Sequence, residues 1–554
     1  MTLTDHAQTD LQAAAWRARI FETSNFFRLI GPPGTGKTTQ IKEIIRTGQT
    51  EYGWGPDAFT IVTFSRTAAF RMKMELARND LHISEGHIGT LHSLAFAALG
   101  KPPLIYDKAH TEAWNERYPQ WRMTARKLDE ELHATAPGDR MLDRSSHLRG
   151  AQHPTETWPA DVITFEERWH AFKQERAAYD FTDLISEAFG TEPLGKGLLI
   201  ADEAQDFSAL EQCLVHVWGG SAQSYLVAGD PNQAIYADLK GATPEQFLIP
   251  GEIPAQNELI LNHSYRNSAA VADAAMSVLR QLDDSRFHHQ YTTERPGGRV
   301  YHLNPSYDAP AGLIPLAAEA TARKSSLMVL AHAKYMLEPV IAELMRAGIP
   351  FHNPYRTTSV TWNPLLAPRS NAINVHERVA ALIKADWTWT DVSAFSELLP
   401  AKDYFHRGMK KAAREEAEVQ GQDFPDAAAL RRIFTDTALQ ALRDAPVETL
   451  RLAATSAGTM TPRLAFALKV VERYGYFPPA QVILGTPHSV KGGEADVVVL
   501  VPDYPANARN MQELLRVSYV AITRARHSVM FLKPANTGHA LDVQQITASQ
   551  ASAA

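Results

Sequence analysis

Gly31-Pro32-Pro33-Gly34-Thr35-Gly36-Lys37-Thr38 sets a lysine and a hydroxyl behind a glycine-rich turn, between an apolar strand-like run and a helical stretch. Glycines at those spacings let backbone N–H groups turn inward around phosphates, and the following helix adds its positive dipole end. Lys37 then reaches the β and γ phosphates of a bound nucleotide, and Thr38 ligates magnesium. A second constellation, Leu198-Leu199-Ile200-Ala201-Asp202-Glu203, is a buried strand delivering two adjacent carboxylates at its C-terminal end, where ligands of open α/β sheets bind. Asp202 suits the magnesium ion, and Glu203 suits a general base that polarises an attacking water. Together the two predict an ATP or GTP site capable of hydrolysis.

The elements that must position these groups alternate. Apolar runs end at Ile30, Phe64, Ala201 and Gly229, and a second set lies near 325–333, 481–485, 495–501 and 527–532, each followed by a turn and a helical pattern. Strands alternating with helices imply parallel sheets with crossover helices, hence two α/β cores. Between them, 95–180 and 356–475 lack the rhythm and read as mainly helical insertions. The tail from Thr547 to Ala554 is rich in small residues and reads as disordered.

Bulk properties restrict the partners. With 45% hydrophobic and 21% charged residues in 554, the chain is ordinary globular material of several domains. It has no run of eighteen apolar residues and no leader-like N-terminus, so no membrane partner and a cytoplasmic location are expected. Its one cysteine, Cys213, excludes an internal disulfide and a four-cysteine cluster. A net charge of −7 argues against a wholly basic surface, so nucleic acid must be held in a local groove.

The chain resembles the UvrD, Rep and PcrA group of superfamily 1 DNA helicases. The resemblance rests on DEAQD (202–206), VAGDPNQAIY (227–236), IVTFSRTAAF (61–70), GTLHS (89–93), LNHSYRN (261–267), TPHSVKGGEADVV (486–498) and LLRVSYVAITRARH (514–527), in the family's order. It implies two RecA-like P-loop NTPase cores: 1A from 1–94 and 181–268, and 2A from 269–355 and 476–554. The insertions 1B and 2B are then 95–180 and 356–475. It further implies ATP and Mg2+ as cofactors, and single-stranded DNA and its junctions with duplex as partners. Gln233 resembles the γ-phosphate-sensing glutamine, and Tyr265 the aromatic that stacks on adenine. Arg266 and Arg524 are similar to two arginines that reach the γ-phosphate from the second core, where cations neutralise charge developing in the transition state. With Lys37 on the opposite core, ATP is expected to draw the two cores together. Glu494 matches a ribose-contacting glutamate, Gln12 an adenine-reading glutamine, and Thr39 completes the loop.

By the same resemblance Phe64, His92, Tyr236, Thr486 and His488 fall on a single-strand groove, where aromatic faces stack on bases without reading them. Thr63 and Thr90 are suited to donate hydrogen bonds to phosphates. Several positions depart from the family pattern. Relatives place a tryptophan shortly after the tyrosine of VAGDPNQAIY, whereas this chain continues Tyr236-Ala237-Asp238-Leu239-Lys240-Gly241. Either Tyr236 partly substitutes as the stacking ring, or the strand is gripped less by stacking and more by phosphate contacts, which predicts steeper salt dependence. Thr39 stands where arginine is common, Arg66-Thr67 replaces Asn-Lys, and Ala495 replaces an aromatic. Little follows the last motif, so no appended nuclease domain is expected. The expected activity is an ATP-dependent helicase moving 3′ to 5′. The alternatives are a nucleotide switch, a translocase that does not unwind, and a RecD-like 5′ to 3′ motor.

Overall fold

The computed structural model describes residues 5–124, 136–248, 253–356, 359–366, 373–508 and 510–551. It divides into two compact units. The first opens with α1 (Asp5–Glu22), β1 (Phe26–Ile30), α2 (Lys37–Thr50), β2 (Phe59–Thr63), α3 (Arg66–Ala77), β3 (Ile88–Thr90) and α4 (Leu91–Ala98). Then come α5 (Lys108–Arg117), α6 (Pro137–Gly150), α7 (Ala160–Glu175) and α8 (Phe181–Glu187), before β4 (Leu198–Asp202), α9 (Ala209–Ser221), β5 (Ser224–Gly229), α10 (Ala237–Lys240), α11 (Pro244–Phe247), β6 (Glu258–Ile260) and α12 (Ala269–Leu279). Its six strands form one parallel sheet in the order β3-β2-β4-β5-β1-β6. Alternation along the strands feeds two cores. Phe59, Ile61, Leu198 and Ile200 face α1, α2 and α3, whereas Val62, Leu199 and Ala201 face α4, α8 and α9.

The register decides where chemistry can gather. Thr63 pairs with Asp202, and Ile30 pairs with both Gly229 and Ile260, so the strands end level. Every connection leaving a C-terminal strand end therefore emerges on one edge of the sheet.

Helices α5 to α7 form a small domain around Trp114, Phe165, Trp169 and Phe172. A buried ionic cluster ties it to α8: Lys173 donates to Asp180 and Asp183, each at 2.6 Å, and Arg149 pairs with Asp180 at 2.9 Å. Burial alone would raise the Asp180 carboxyl, but Arg149 and Lys173 hold it well below the carboxylate range.

The second unit runs from Gly298 to Ala508 and resumes at Arg524. Its strands β7 (Val300–His302), β8 (Leu327–Leu330), β9 (Phe351–His352), β10 (Val482–Gly485), β11 (Ala495–Leu500) and β12 (Ala525–Phe531) form a second parallel sheet, ordered β7-β12-β11-β8-β10-β9. Helices α13 (Ile314–Arg323) and α14 (Glu338–Ala347) accompany β8 and β9. Between β9 and β10 lie α15 (Val375–Leu382), α16 (Trp389–Ser396), α17 (Met409–Gln420), α18 (Ala427–Ile433), α19 (Asp436–Asp444), α20 (Pro446–Ser456) and α21 (Pro462–Tyr474). Their core gathers Trp387, Trp389, Phe395, Phe434 and Leu468.

Two features differ from the sequence expectation. The first unit extends past 268 to Gly297 and takes in the segment ending at Thr523. The cause is α22 (Met511–Ile522), buried over most of its length, which packs on α12 and on the turn after β5. The tail is also ordered as α23 (Val543–Ala551), where Val543 and Ile546 are buried; the last three residues lie outside the described part.

Candidate functional site

The loop after β1 is shaped by two glycines in the left-handed region, Gly34 at φ 75° and Gly36 at φ 90°. Gly36 caps α2, so Lys37 is the first helical residue. Lys37 Nζ donates to the Gly31 carbonyl at 2.6 Å, and Thr35 Oγ1 donates to the Pro32 carbonyl at 2.8 Å, closing the loop on itself. Thr38 and Thr39 are exposed at its mouth, whereas Pro32 and Pro33 are buried. The segment after β6 clamps the loop from the other side. Tyr265 N–H donates to the Gly34 carbonyl at 2.9 Å, and Ser264 Oγ donates to the Pro33 carbonyl at 2.8 Å. A Cβ on Gly34 would lie 2.3 Å from the Arg266 Cβ, so only glycine fits.

β1, β5 and β6 are neighbours, and β4 adjoins β5, so their loops lie side by side. Asp202 ends β4 buried, and Glu203 follows in the left-handed region at φ 53°, a strained position for a non-glycine residue. Burial, reinforced by the charge of Glu203 and opposed by Lys37, pushes the Asp202 carboxyl up to about 7. A buried carboxylate in that setting is matched by a divalent cation, which Asp202 and the exposed Thr38 hydroxyl fit as hard oxygen ligands.

A hydrogen-bond chain runs from Glu203 across the sheet edge. Gln205 Nε2 donates to Glu203 at 2.6 Å, while Gln205 Oε1 accepts the Asp230 N–H at 3.1 Å. Asp230 accepts from the Asn232 N–H at 3.0 Å, from Gln233 Nε2 at 2.9 Å and from the Tyr519 hydroxyl at 3.3 Å. Tyr519 is fully buried on α22, five residues before Arg524. Asn267 Nδ2 donates at 3.2 Å to the carbonyl of Thr523, the residue preceding Arg524. Gln205, Asp230, Asn267 and Tyr519 escaped sequence reasoning, although all four lie inside motifs that it quoted.

Arg266 corrects an expectation. The resemblance likens it to an arginine acting from the second core, while the boundary at 268 leaves it in the first; it follows β6 in the first unit and abuts the P-loop, because β6 extends the first sheet beside β1. Tyr265 is exposed, its ring edge-on to His263, and Gln12 is exposed on α1.

The groove set occupies the other half of the same edge, after β2 and β3. His92 is half-buried, 3.5 Å from Glu211, and burial holds its imidazole below the usual value against that carboxylate. Thr90 Oγ1 accepts the Ser93 N–H, leaving the hydroxyl proton free of that bond. Thr63 is different. It is fully buried and donates to the Ser65 carbonyl at 3.1 Å, so the expected phosphate contact from its side chain is not supported. Tyr236 is likewise corrected as a stacking platform: its ring is 8% exposed, packed among Ile235, Ala242, Val517 and Val520 and against Phe64 at 4.7 Å. On the short helix α10 that follows, Leu239 is exposed, at 61%. Lys240 Nζ lies 4.5 Å over the Phe64 ring. Gly241, at φ 68°, closes α10 so tightly that a Cβ would meet Ala151, just past α6.

In the second unit, Arg524 is 2% exposed and donates to the Gly493 carbonyl at 3.2 Å, while its own carbonyl accepts the Ala495 N–H at 2.9 Å. Glu494, expected at a ribose, pairs with Arg526 at 2.6 Å. Thr486 and His488 sit in the turn after β10, where the Thr486 and Ser489 side chains cap one another's N–H groups. A dense P-loop site on one parallel sheet, with a second α/β unit carrying a buried arginine, defines a two-core P-loop NTPase.

Comparison with known proteins gives the family. The AAA domain family matches residues 12–238, and the UvrD-like helicase C-terminal domain matches residues 482–532. A probable DNA helicase of Mycoplasma pneumoniae is 28% identical over 278 residues, covering 45% of this chain and 52% of the relative. The ATP-dependent DNA helicase SRS2 of Saccharomyces cerevisiae is 22% identical over 326 residues, covering 51% and 28%. UvrD2 of Mycobacterium tuberculosis, also an ATP-dependent DNA helicase, is 24% identical over 327 residues, covering 51% and 46%. The chain thus spans about half or less of the length of these relatives. The two matched domains and these relatives together support a UvrD-like helicase of superfamily 1.

Two measurements test this geometry. Tyr519→Phe removes one hydrogen bond to Asp230, worth about 1 kcal/mol. It should lower ATP turnover roughly fivefold while leaving KM for ATP near the parent value; an unchanged turnover removes Tyr519 from the network. Glu513, on α22, is pushed up to about 7 by burial and by the charge of Asp238, whose N–H lies 3.4 Å from its Oε1. The folded chain then keeps a proton that the unfolded chain releases from about pH 4.5 upward. Stability contributed by this group therefore falls as pH rises from about 4.5 to 7. Glu513→Gln should flatten that slope and raise the melting temperature at pH 8, as read by thermal denaturation.

Proposed function

We propose that the chain is an ATP-driven DNA motor: an ATPase stimulated by single-stranded DNA that moves 3′ to 5′ and opens duplex. The observation that carries this reading is that nucleotide and groove residues share one sheet edge, where Asp230 holds Gln233 at the start of the turn that continues through Tyr236 into α10. A change sensed by Gln233 at the γ-phosphate would pass along that turn to Lys240.

In this reading Lys37 and Arg266 neutralise the transferring phosphoryl, and Glu203 takes the proton of the attacking water. The left-handed backbone at Glu203 and the Gln205 amide fix the orientation of that carboxylate. Arg524, in the second unit, is the arginine that the family resemblance assigns to the γ-phosphate. Thr38 and Asp202 would hold Mg2+, which supplies further neutralisation at the phosphate oxygens. Tyr265 stacks on the base with its exposed ring, and Gln12 reads its edge. Phe64, Thr90 and His92 line the strand path of the first unit, and Thr486 and His488 are the groove residues proposed for the second unit by itself. The relatives named as DNA helicases support DNA as the substrate.

A second reading has one observation in its favour. With Tyr236 buried and Leu239 in the exposed place, no flat ring is offered there, which suits a translocase that moves without separating strands. Duplexes bearing a 3′ or a 5′ tail distinguish the readings. Unwinding from the 3′ tail is expected; unwinding from the 5′ tail alone reverses the polarity, and failure with both leaves translocation.

Single-stranded DNA should stimulate ATP hydrolysis, and Lys37→Ala or Glu203→Gln should abolish it; brisk turnover by either variant refutes the catalytic assignment. Arg524→Ala should bind ATP nearly as well as the parent and turn over about 10² to 10⁴ times more slowly, measured by single-turnover hydrolysis.

A further inference from the structure

The segment that follows α12 returns to the turn carrying Tyr265 and Arg266, through a ladder of bonds outside the nucleotide set. Thr292 forms a parallel bridge with His263: its N–H donates to the Asn262 carbonyl at 2.7 Å, and its carbonyl accepts the Ser264 N–H at 2.8 Å. Thr293 Oγ1 donates to the Asn267 carbonyl at 2.7 Å. Arg295 closes the ladder. Its Nη1 donates to the Arg266 carbonyl at 3.0 Å, its N–H donates to Thr293 Oγ1 at 3.2 Å, and its carbonyl accepts the Ala269 N–H at 3.3 Å.

Arg266 is thereby fixed from both sides. On its N-terminal side, Ser264 and Tyr265 are bonded to the P-loop; on its C-terminal side, Arg295 holds the carbonyl of Arg266 itself, and Thr293 holds that of Asn267. The fit is close, since a Cβ added at Gly34 would lie 2.3 Å from the Arg266 Cβ. A turn of the Arg266 peptide therefore swings the side chain along the loop, and misplacement by about 1 Å can cost about 10²-fold in rate. Arg295 is not spent on a surface ion pair, because it meets no carboxylate among the described residues and its guanidinium is given to a main-chain carbonyl. Nor does its side chain fill a core, since Arg295 is exposed, as are Glu294 and Pro296 on either side. What the bond constrains is the orientation of one peptide, the one that follows Arg266.

We propose that Arg295 is a positioning residue for ATP hydrolysis: by holding the Arg266 carbonyl, it sets the direction from which the Arg266 guanidinium meets the γ-phosphate. This role rests on the one proposed for Arg266, and the two are separable by experiment.

Single-turnover ATP hydrolysis by the full chain, with and without a saturating single-stranded oligonucleotide, is compared across Arg295→Ala, Arg295→Lys, Arg266→Ala and the double variant Arg266→Ala/Arg295→Ala. Calorimetry follows ADP binding to each. Arg295→Ala should slow hydrolysis about tenfold while ADP affinity and melting temperature stay at the parent values, because ADP lacks the phosphate that Arg266 meets. Arg295→Lys, which keeps a donor, should recover part of the rate. In the Arg266→Ala background, Arg295→Ala should cost nothing more, since residues that act through one another are not additive. Parent-like hydrolysis by Arg295→Ala beside a slow Arg266→Ala overturns the positioning role alone. So do losses that multiply in the double variant, and an equal loss of ADP affinity, which marks a general loosening of the pocket. Parent-like hydrolysis by Arg266→Ala overturns the role of Arg266 and, with it, that of Arg295. Should Arg295→Ala melt early, Arg295→Gln replaces it in every comparison.

Discussion

Asp230 is a carboxylate with no exposure to solvent, and the polar edge of the first unit is arranged to satisfy it. A buried charge without donors is strongly destabilising, so Asn232, Gln233 and Tyr519 must converge on it. Two motifs distant in sequence are thereby held in one geometry, and Gln205 adds a third. The Asp230 N–H occupies Gln205, which in turn orients Glu203. The catalytic carboxylate and the γ-phosphate glutamine are thus aligned by the same residue.

That arrangement depends on the parallel sheet. Because all strands of a parallel sheet run one way, every crossover returns its loop to the same edge, and level strand ends bring these loops within side-chain reach. The P-loop gains rigidity from β6 as well, since the Tyr265 and Ser264 bonds to Gly34 and Pro33 leave the loop little freedom to open. Its shape is set before any ligand arrives, which lowers the entropy lost on binding.

Much of this was legible in the sequence. Strands buried on both faces are continuous apolar runs, so β1, β2, β4, β5, β8, β10, β11 and β12 stood out almost to the residue. The edge strands β3, β6, β7 and β9 did not, because two or three residues paired on one side carry no hydrophobic signature. The boundary at 268 already left LNHSYRN in the first core, but without β6 nothing in the sequence shows that Arg266 lies beside the P-loop. Motif order likewise conceals that α22 packs with the first unit, since an amphipathic helix does not declare which surface it covers. Burial of Tyr236 was invisible for a related reason, as a tyrosine has the same composition whether its ring faces a base or a core. The ATP site was readable because its chemistry needs particular residue types at fixed spacing. The groove was less so, because stacking asks only for a flat face somewhere nearby.

Lys240 lies over the aromatic face of Phe64, while Tyr236 takes up another part of that ring. A nucleobase arriving there displaces an ammonium already attracted to the ring, at a cost of about 0.5–1 kcal/mol. The lysine is in effect a resident competitor, and once displaced it becomes a cation beside the incoming strand. On the proposed reading, the strand would gain a phosphate contact as the ring gives up its cation–π contact, so the net hold at this point would be small and easily reversed.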